Sequence, residues 1–135
     1  NLISCVDDGL GLRFNHRRQS RDKMLAQHIL RRTGGEIWLH PDSAKLFADW
    51  PDAVLHVISD PEEVPEGAWC LWESPVSPAL RPEKILLYHW NRVYPADEYF
   101  VYPGGQDRWE CPESTDFSGF SHPKITEEVL IPKEV

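Results

Sequence analysis

At 135 residues, with 41% hydrophobic and 27% charged side chains, the chain has the length and composition of one globular domain, residues 1–135, with a buried core. No apolar run approaches the roughly 18 residues of a membrane span, and the start, Asn1 to Asp8, turns acidic too early for a secretory signal, so a cytoplasmic domain without a membrane partner is expected. A net charge of −8 opposes general attraction to nucleic acid, and the three scattered cysteines, Cys5, Cys70 and Cys111, form neither a disulfide framework nor a metal-ligand spacing.

Leu2–Val6 is a short apolar run that predicts a first strand, closed by the turn Asp7-Asp8-Gly9. Leu12–Asn15 reads as a short extended piece. Ser20 is placed as the N-cap of a helix, with Asp22 in the first turn, where the helix dipole favours an acid. Leu25, Ala26, Ile29 and Leu30 give that helix its apolar stripe, and Gly34-Gly35 stops it. Glu36–His40 predicts a strand, and Pro41-Asp42-Ser43 opens a second helix running to about Asp49. Ala53–Ile58 is the next strand, followed by an acidic turn or short helical start at Asp60–Glu63. Ala68–Trp72, Lys84–Trp90 and Glu98–Tyr102 are predicted strands. The prolines of Ser74–Pro82 bar a long helix between the first two. Trp109–Ser121 reads as mostly loop and Ile125–Ile131 as a closing strand. Early alternation and late consecutive strands predict an α/β domain, a mixed β-sheet flanked by a few helices. Trp69, Trp72, Tyr88 and Trp90 alternate along two strands and read as sheet core rather than a base-stacking platform.

The charge is unevenly placed. Arg13, Arg17, Arg18, Arg21, Lys23, Arg31 and Arg32 share a window with a single acid, Asp22. The segment Asn15-His16-Arg17-Arg18-Gln19-Ser20-Arg21-Asp22 leads into the predicted helix start. Unpaired backbone N–H groups, the helix dipole and forked guanidiniums would converge there on an anion. The competing reading pairs these arginines with the many carboxylates on a solvated face. A second cluster, Asn91-Arg92 with Tyr94 and Asp97, reads as a site or as a turn held by side-chain hydrogen bonds. A third is Ser121-His122-Pro123-Lys124. His122, with Arg17 or Arg92 nearby, has the chemistry of a general base in RNA cleavage; otherwise it is ordinary surface. The six histidines lack His-x-His and His-Glu-x-x-His spacing, and no Gly-x-Ser-x-Gly occurs, so neither a metal centre nor a serine nucleophile motif is expected.

Lys84-Ile85-Leu86-Leu87-Tyr88-His89-Trp90, followed after a short loop by Ala96-Asp97-Glu98-Tyr99-Phe100, resembles the late strand and the Gly-Asp-Thr-x-Phe segment of the dihydrofolate reductase family. Trp109 stands where that family often has a tryptophan before a polar loop, and Ile125–Ile131 is similar to its terminal strand, which returns beside the late one. Ile3–Val6 with Asp7-Asp8-Gly9-Leu10-Gly11 is similar to the family's first strand and its Asn-Gly-Ile-Gly loop. Asp22 falls close to the substrate-binding carboxylate, and Thr33 resembles the threonine at that helix's end. The resemblance covers most of the chain and implies a dihydrofolate-reductase-like mixed β-sheet flanked by a few helices.

The departures concern the cofactor. His40-Pro41-Asp42-Ser43 replaces the family's Gly-Arg-x-Ser/Thr turn and keeps only Ser43. Ser59-Asp60 replaces a Ser-Arg pair, and Trp72-Glu73-Ser74-Pro75 replaces a Gly-Gly turn. Each change makes a phosphate less welcome, by on the order of 1 kcal/mol per charge when partly desolvated. Arg17-Arg18-Gln19 stands for an apolar Leu-Pro-Trp. The expectation is a protein without NADPH or another cofactor that binds an anionic small molecule or nucleotide, with RNA a further partner. Its ligand-binding candidates are Asn15, Arg17, Arg18, Gln19, Ser20, Arg21, Asp22 and Ser43. Two alternatives stand beside it. One is a metal-independent ribonuclease using His122 or His16, with Arg92 and Asp22 as further catalytic candidates. The other is a protein-interaction domain whose acidic remainder meets a basic partner. A residual pterin or folate site through Asp22 also stays open.

Overall fold

Side-chain alternation along β1 (Leu2–Val6) sorts the core into two halves. Ile3 and Cys5 point to one face of a sheet, Leu2 and Val6 to the other, and all are buried. β7 (Ile85–His89) repeats the pattern, with Leu86 and Tyr88 on the first face and Ile85 and Leu87 on the second. Strands buried on both faces read as unbroken apolar runs, which is why these two were legible. The computed structural model describes residues 1–77 and 80–133; of the proline-rich stretch 74–82, residues 78 and 79 lie outside the described residues.

Among the described residues the main sheet has seven strands. To β1 and β7 it adds β4 (Glu36–Leu39), β5 (Val54–Val57), β6 (Cys70–Leu71), β9 (Trp109–Phe117) and β10 (Ile125–Pro132). The order is β5-β4-β6-β1-β7-β10-β9. Strands β5 through β7 in that order run parallel, and β10 is antiparallel to both β7 and β9. The chain is thus a mixed α/β protein. A small sheet, β3-β2-β8, is built from β2 (Gly11–Phe14), β3 (Arg17–Arg18) and β8 (Glu98–Tyr99). It brings Leu12 and Phe100 onto the second face of the core. The first face is covered by α1 (Lys23–Thr33), whose Leu25, Ala26 and Ile29 are fully buried. Each large apolar side chain so buried contributes roughly 1.5–3 kcal/mol.

Four expected elements differ. Helix α1 is capped by Asp22 rather than Ser20, because the Asp22 side chain accepts from the backbone N–H groups of Met24 and Leu25. The second helix is a 3-10 helix, Pro41–Phe47. Expected strand 98–102 contributes only β8, which pairs with β2 in the small sheet. Residues 109–117, read as loop, form the outer strand β9. Its interior residues are exposed, so it lacks an apolar alternation. Its Pro112 falls where the register against β10 shifts, a position an edge strand tolerates.

Candidate functional site

The parallel strands β1, β4, β6 and β7 all run toward one end of the sheet. There they give way to Asp7, to residues 40–43, to 72–74 and to 90–97. Ligands of open α/β sheets bind outside these carboxyl ends. The basic segment folds over the same end. Asn15 and His16, with φ of 51° and 61°, form a two-residue hairpin turn between β2 and β3. Both central residues of such a turn need positive φ, which Asn accepts readily.

Several predicted ligand-binding residues are consumed inside the protein. Arg18 lies against Glu73, whose side chain is 4% exposed, and donates to the Ser20 carbonyl at 2.6 Å. Ser43 donates to the same Glu73 carboxylate at 2.8 Å. Arg18 and Ser43 therefore hold the hairpin to the sheet rather than wait for a ligand. Gln19 bonds Asp7 at 3.2 Å and the Pro95 carbonyl at 3.3 Å. The Asn15 backbone N–H donates to Asp97 at 3.1 Å. Arg13, unassigned in the sequence reading, pairs with Asp42 at 2.8 Å and bonds the His16 carbonyl. At the helix start the Met24 and Leu25 N–H groups are taken by the Asp22 side chain.

Nor do these residues fit a dinucleotide. Where the family resemblance would set a pyrophosphate stands the buried Glu73 carboxylate, already shared by Arg18 and Ser43. Asp42 occupies the neighbouring turn, and Asp60 caps a 3-10 helix at Pro61–Glu63 instead of offering a cation.

What remains open is a cleft of about 720 Å³ bordered by His16, Arg17, Arg18, Ser20, Arg21, Asp42, Lys45 and Leu46. Among the described residues Arg17, Arg21 and Lys45 make no ion pair or side-chain hydrogen bond. Arg17 and Arg21 were named from the sequence. Lys45 was not, because it stands one turn beyond Pro41 and meets them only through tertiary folding. Adjacent hollows share Arg17 and Arg18 on one side, next to Tyr94, and Arg21 and Lys45 on the other, next to Phe120. Lys23 is engaged over the Phe120 ring, 4.0 Å from its centroid.

Behind Ser20 lies a hydrogen-bonded chain that joins all three sequence clusters. The Asp22 side chain is 0% exposed and that of His122 2%. Asp22 accordingly does not face a ligand, and His122 is not surface. The Asp22 carboxylate accepts the backbone N–H groups of Met24, Leu25, Phe120, Ser121 and His122. It also accepts the His122 Nδ1 proton across 3.0 Å. Burial raises the Asp22 carboxyl, but these donors outweigh it and hold the group well below the usual carboxylate range. On the far side of the ring, Nε2 meets the Ser20 hydroxyl at 3.2 Å and the Tyr94 hydroxyl at 2.8 Å. Trp90 packs on the ring at 4.7 Å. Arg92 closes the loop from outside, donating to the Ser121 carbonyl at 3.3 Å. His122 reaches a substrate only through Ser20 or Tyr94.

Gly119 sets how closely this loop approaches. A Cβ there would lie 2.6 Å from the His122 carbonyl and 2.7 Å from the Asp22 carboxylate. Gly119→Ala is expected to cost about 1–3 kcal/mol, read as a lower urea midpoint with unchanged slope. A midpoint equal to wild type would show that the loop has slack.

Among the described residues no group of three or more His, Cys, Asp or Glu side chains is placed to hold a metal ion, and no helix is long and apolar enough to cross a membrane. The chain matches no protein-family model and no curated protein sequence.

Proposed function

We propose that the chain is a dihydrofolate-reductase-like domain that binds an anionic small molecule or nucleotide in the basic cleft and does not act as an NADPH-dependent reductase. The return of β10 antiparallel beside β7, and an acid at the start of α1, support the fold reading. The binding reading is carried by one observation. In a chain of net charge −8, Arg17, Arg21 and Lys45 border one cleft without a carboxylate partner, while Arg13, Arg18 and Arg32 are all paired. Three like charges held together repel one another, and a bound anion relieves that repulsion. Guanidiniums suit phosphate or carboxylate because they offer forked donors. The cleft volume is that of a small-molecule site. RNA would meet the same cations, but direct abstraction of a 2′-hydroxyl proton by His122 is disfavoured by its burial.

Titration calorimetry at low salt with pyrophosphate and with AMP tests this. Arg17→Ala with Arg21→Ala is expected to weaken binding about tenfold or more per lost charge-assisted contact. Stability should stay within about 0.5 kcal/mol, since both side chains are exposed. Equal affinity in wild type and double variant would defeat the reading.

A further inference from the structure

From the geometry we infer that Ser20 is a nucleophile activated by His122 and that the protein hydrolyses carboxylic esters whose acyl or alcohol part carries a negative charge. Four observations converge on Ser20. Its side chain borders the cleft. Its hydroxyl lies 3.2 Å from His122 Nε2, within reach for proton transfer. The opposite ring nitrogen is fixed on Asp22 at 3.0 Å, which keeps the Nδ1 proton in place and leaves Nε2 as the acceptor. The ring itself is clamped by Trp90 and buried. Nucleophile, base and orienting carboxylate thus stand in hydrogen-bonded sequence, the arrangement that activates a serine whatever the fold. Asp22 is a positioning residue here, because it touches His122 and not the substrate.

The chemistry balances with water as the one co-reactant. Ser20 Oγ bonds to the ester carbonyl carbon as its proton passes to His122 Nε2. The carbon–oxygen bond to the leaving alcohol breaks as Nε2 returns that proton to the leaving oxygen. Water then attacks the acyl carbon, gives its proton through Nε2 to Ser20 Oγ, and releases the acid. Tyr94 shares the base, its hydroxyl lying 2.8 Å from Nε2 and 3.4 Å from Ser20 Oγ. As the nearer donor, Tyr94 fills the single Nε2 lone pair, and it must swing its hydroxyl away before Nε2 can take the Ser20 proton. The preference for an anionic ester rests on the anion-binding reading above; the activation of Ser20 does not.

The test is covalent labelling with an uncharged alkyl fluorophosphonate, followed by peptide mapping, and hydrolysis of mono(4-nitrophenyl) succinate against 4-nitrophenyl acetate. One adduct is expected, on Ser20, absent in Ser20→Ala and formed about 100-fold more slowly or worse in folded His122→Gln. Since His122 is buried, that variant carries a folding risk. Ser20→Cys keeps the histidine in place, and its new thiol is expected to react with iodoacetamide about tenfold faster than the exposed Cys111 of the same molecule. The succinate half-ester is expected to turn over about tenfold faster than the acetate, a preference that Arg17→Ala with Arg21→Ala removes. No adduct on Ser20, or a labelling rate indifferent to His122, overturns the nucleophile even where pyrophosphate binding holds. Labelling without the charge preference overturns the substrate class alone.

Discussion

Asp22→Asn is expected to lower stability by about 3–5 kcal/mol and the melting midpoint by on the order of 10–20 °C. The native carboxylate receives five backbone N–H groups and the His122 Nδ1 proton while fully buried. An amide presents an NH₂ to part of that set, so donors face a donor, and the cap of α1 is retained only in part. The same residue gives the protein an acid limit. Its folded pKa lies below the ordinary 3.8, so its contribution is complete above that value and is lost as pH falls through it toward the folded pKa. Wild-type stability should drop below about pH 4, and the Asn variant should lose less over the same range. Melting curves at several acidic pH values check both. A variant as stable as wild type would mean that Asp22 does not organise the 118–124 loop.

The second large effect lies on the same side of the sheet. Glu127 of β10 is 1% exposed and accepts from Tyr88 at 2.7 Å, from Arg32 at 2.5 Å and from His28 at 2.8 Å. Burial pushes its carboxyl up, yet the bonds from His28, Arg32 and Tyr88 prevail and hold it at about 2 against an ordinary 4.5. That depression corresponds to about 3 kcal/mol, present above the unfolded value and lost as pH falls toward 2. Glu127→Leu should cost about 2–4 kcal/mol, because the buried Tyr88 hydroxyl loses its acceptor while Arg32 keeps Glu113 at 3.6 Å. Adding Tyr88→Phe removes the orphaned donor. The double variant should then be at least as stable as Glu127→Leu alone, a non-additivity expected only of partners in contact. Strictly additive losses in denaturant titrations would show the two groups to be independent.

Both residues show what was legible in the sequence and what was not. Periodicity and end signals located β1, α1, β4, β5, β7 and β10, since each carries an apolar pattern or a Gly stop that local chemistry explains. β9 is hidden by its lack of an apolar face and β3 by a two-residue pairing that leaves no period to read, whereas the expected strand Glu98–Tyr102 contains β8 but is too long. The dense Arg segment 13–21 was visible as charge, but its sorting was not. Arg13 and Arg18 turn inward to Asp42 and Glu73, while alternation in β3 sets Arg17 on the exposed side, and Arg21, beyond the strand, is exposed without an ion pair. The Ser20–His122–Asp22 chain spans about a hundred residues between its parts. No spacing motif encodes that, and looking for a Gly-x-Ser-x-Gly turn finds only nucleophiles made within one segment. Lys45 and Tyr94 reach the site by the same long-range closure.

The central claim, an anion site formed by the cations left unpaired at the carboxyl ends of the strands, is tested most directly by thermal shift at low salt. Wild type and the Arg17→Ala, Arg21→Ala variant are melted with pyrophosphate, AMP, ATP, short RNA, NADPH and dihydrofolate. A ligand at 100 times its dissociation constant adds about 2.7 kcal/mol to the folded state, a shift on the order of 10 °C for a chain of this size. Phosphate-bearing ligands should raise the wild-type midpoint and leave the variant unmoved. A rise with NADPH that survives in the variant would put the cofactor back against Glu73 and contradict the account, and silence of wild type across the whole panel would contradict it as well.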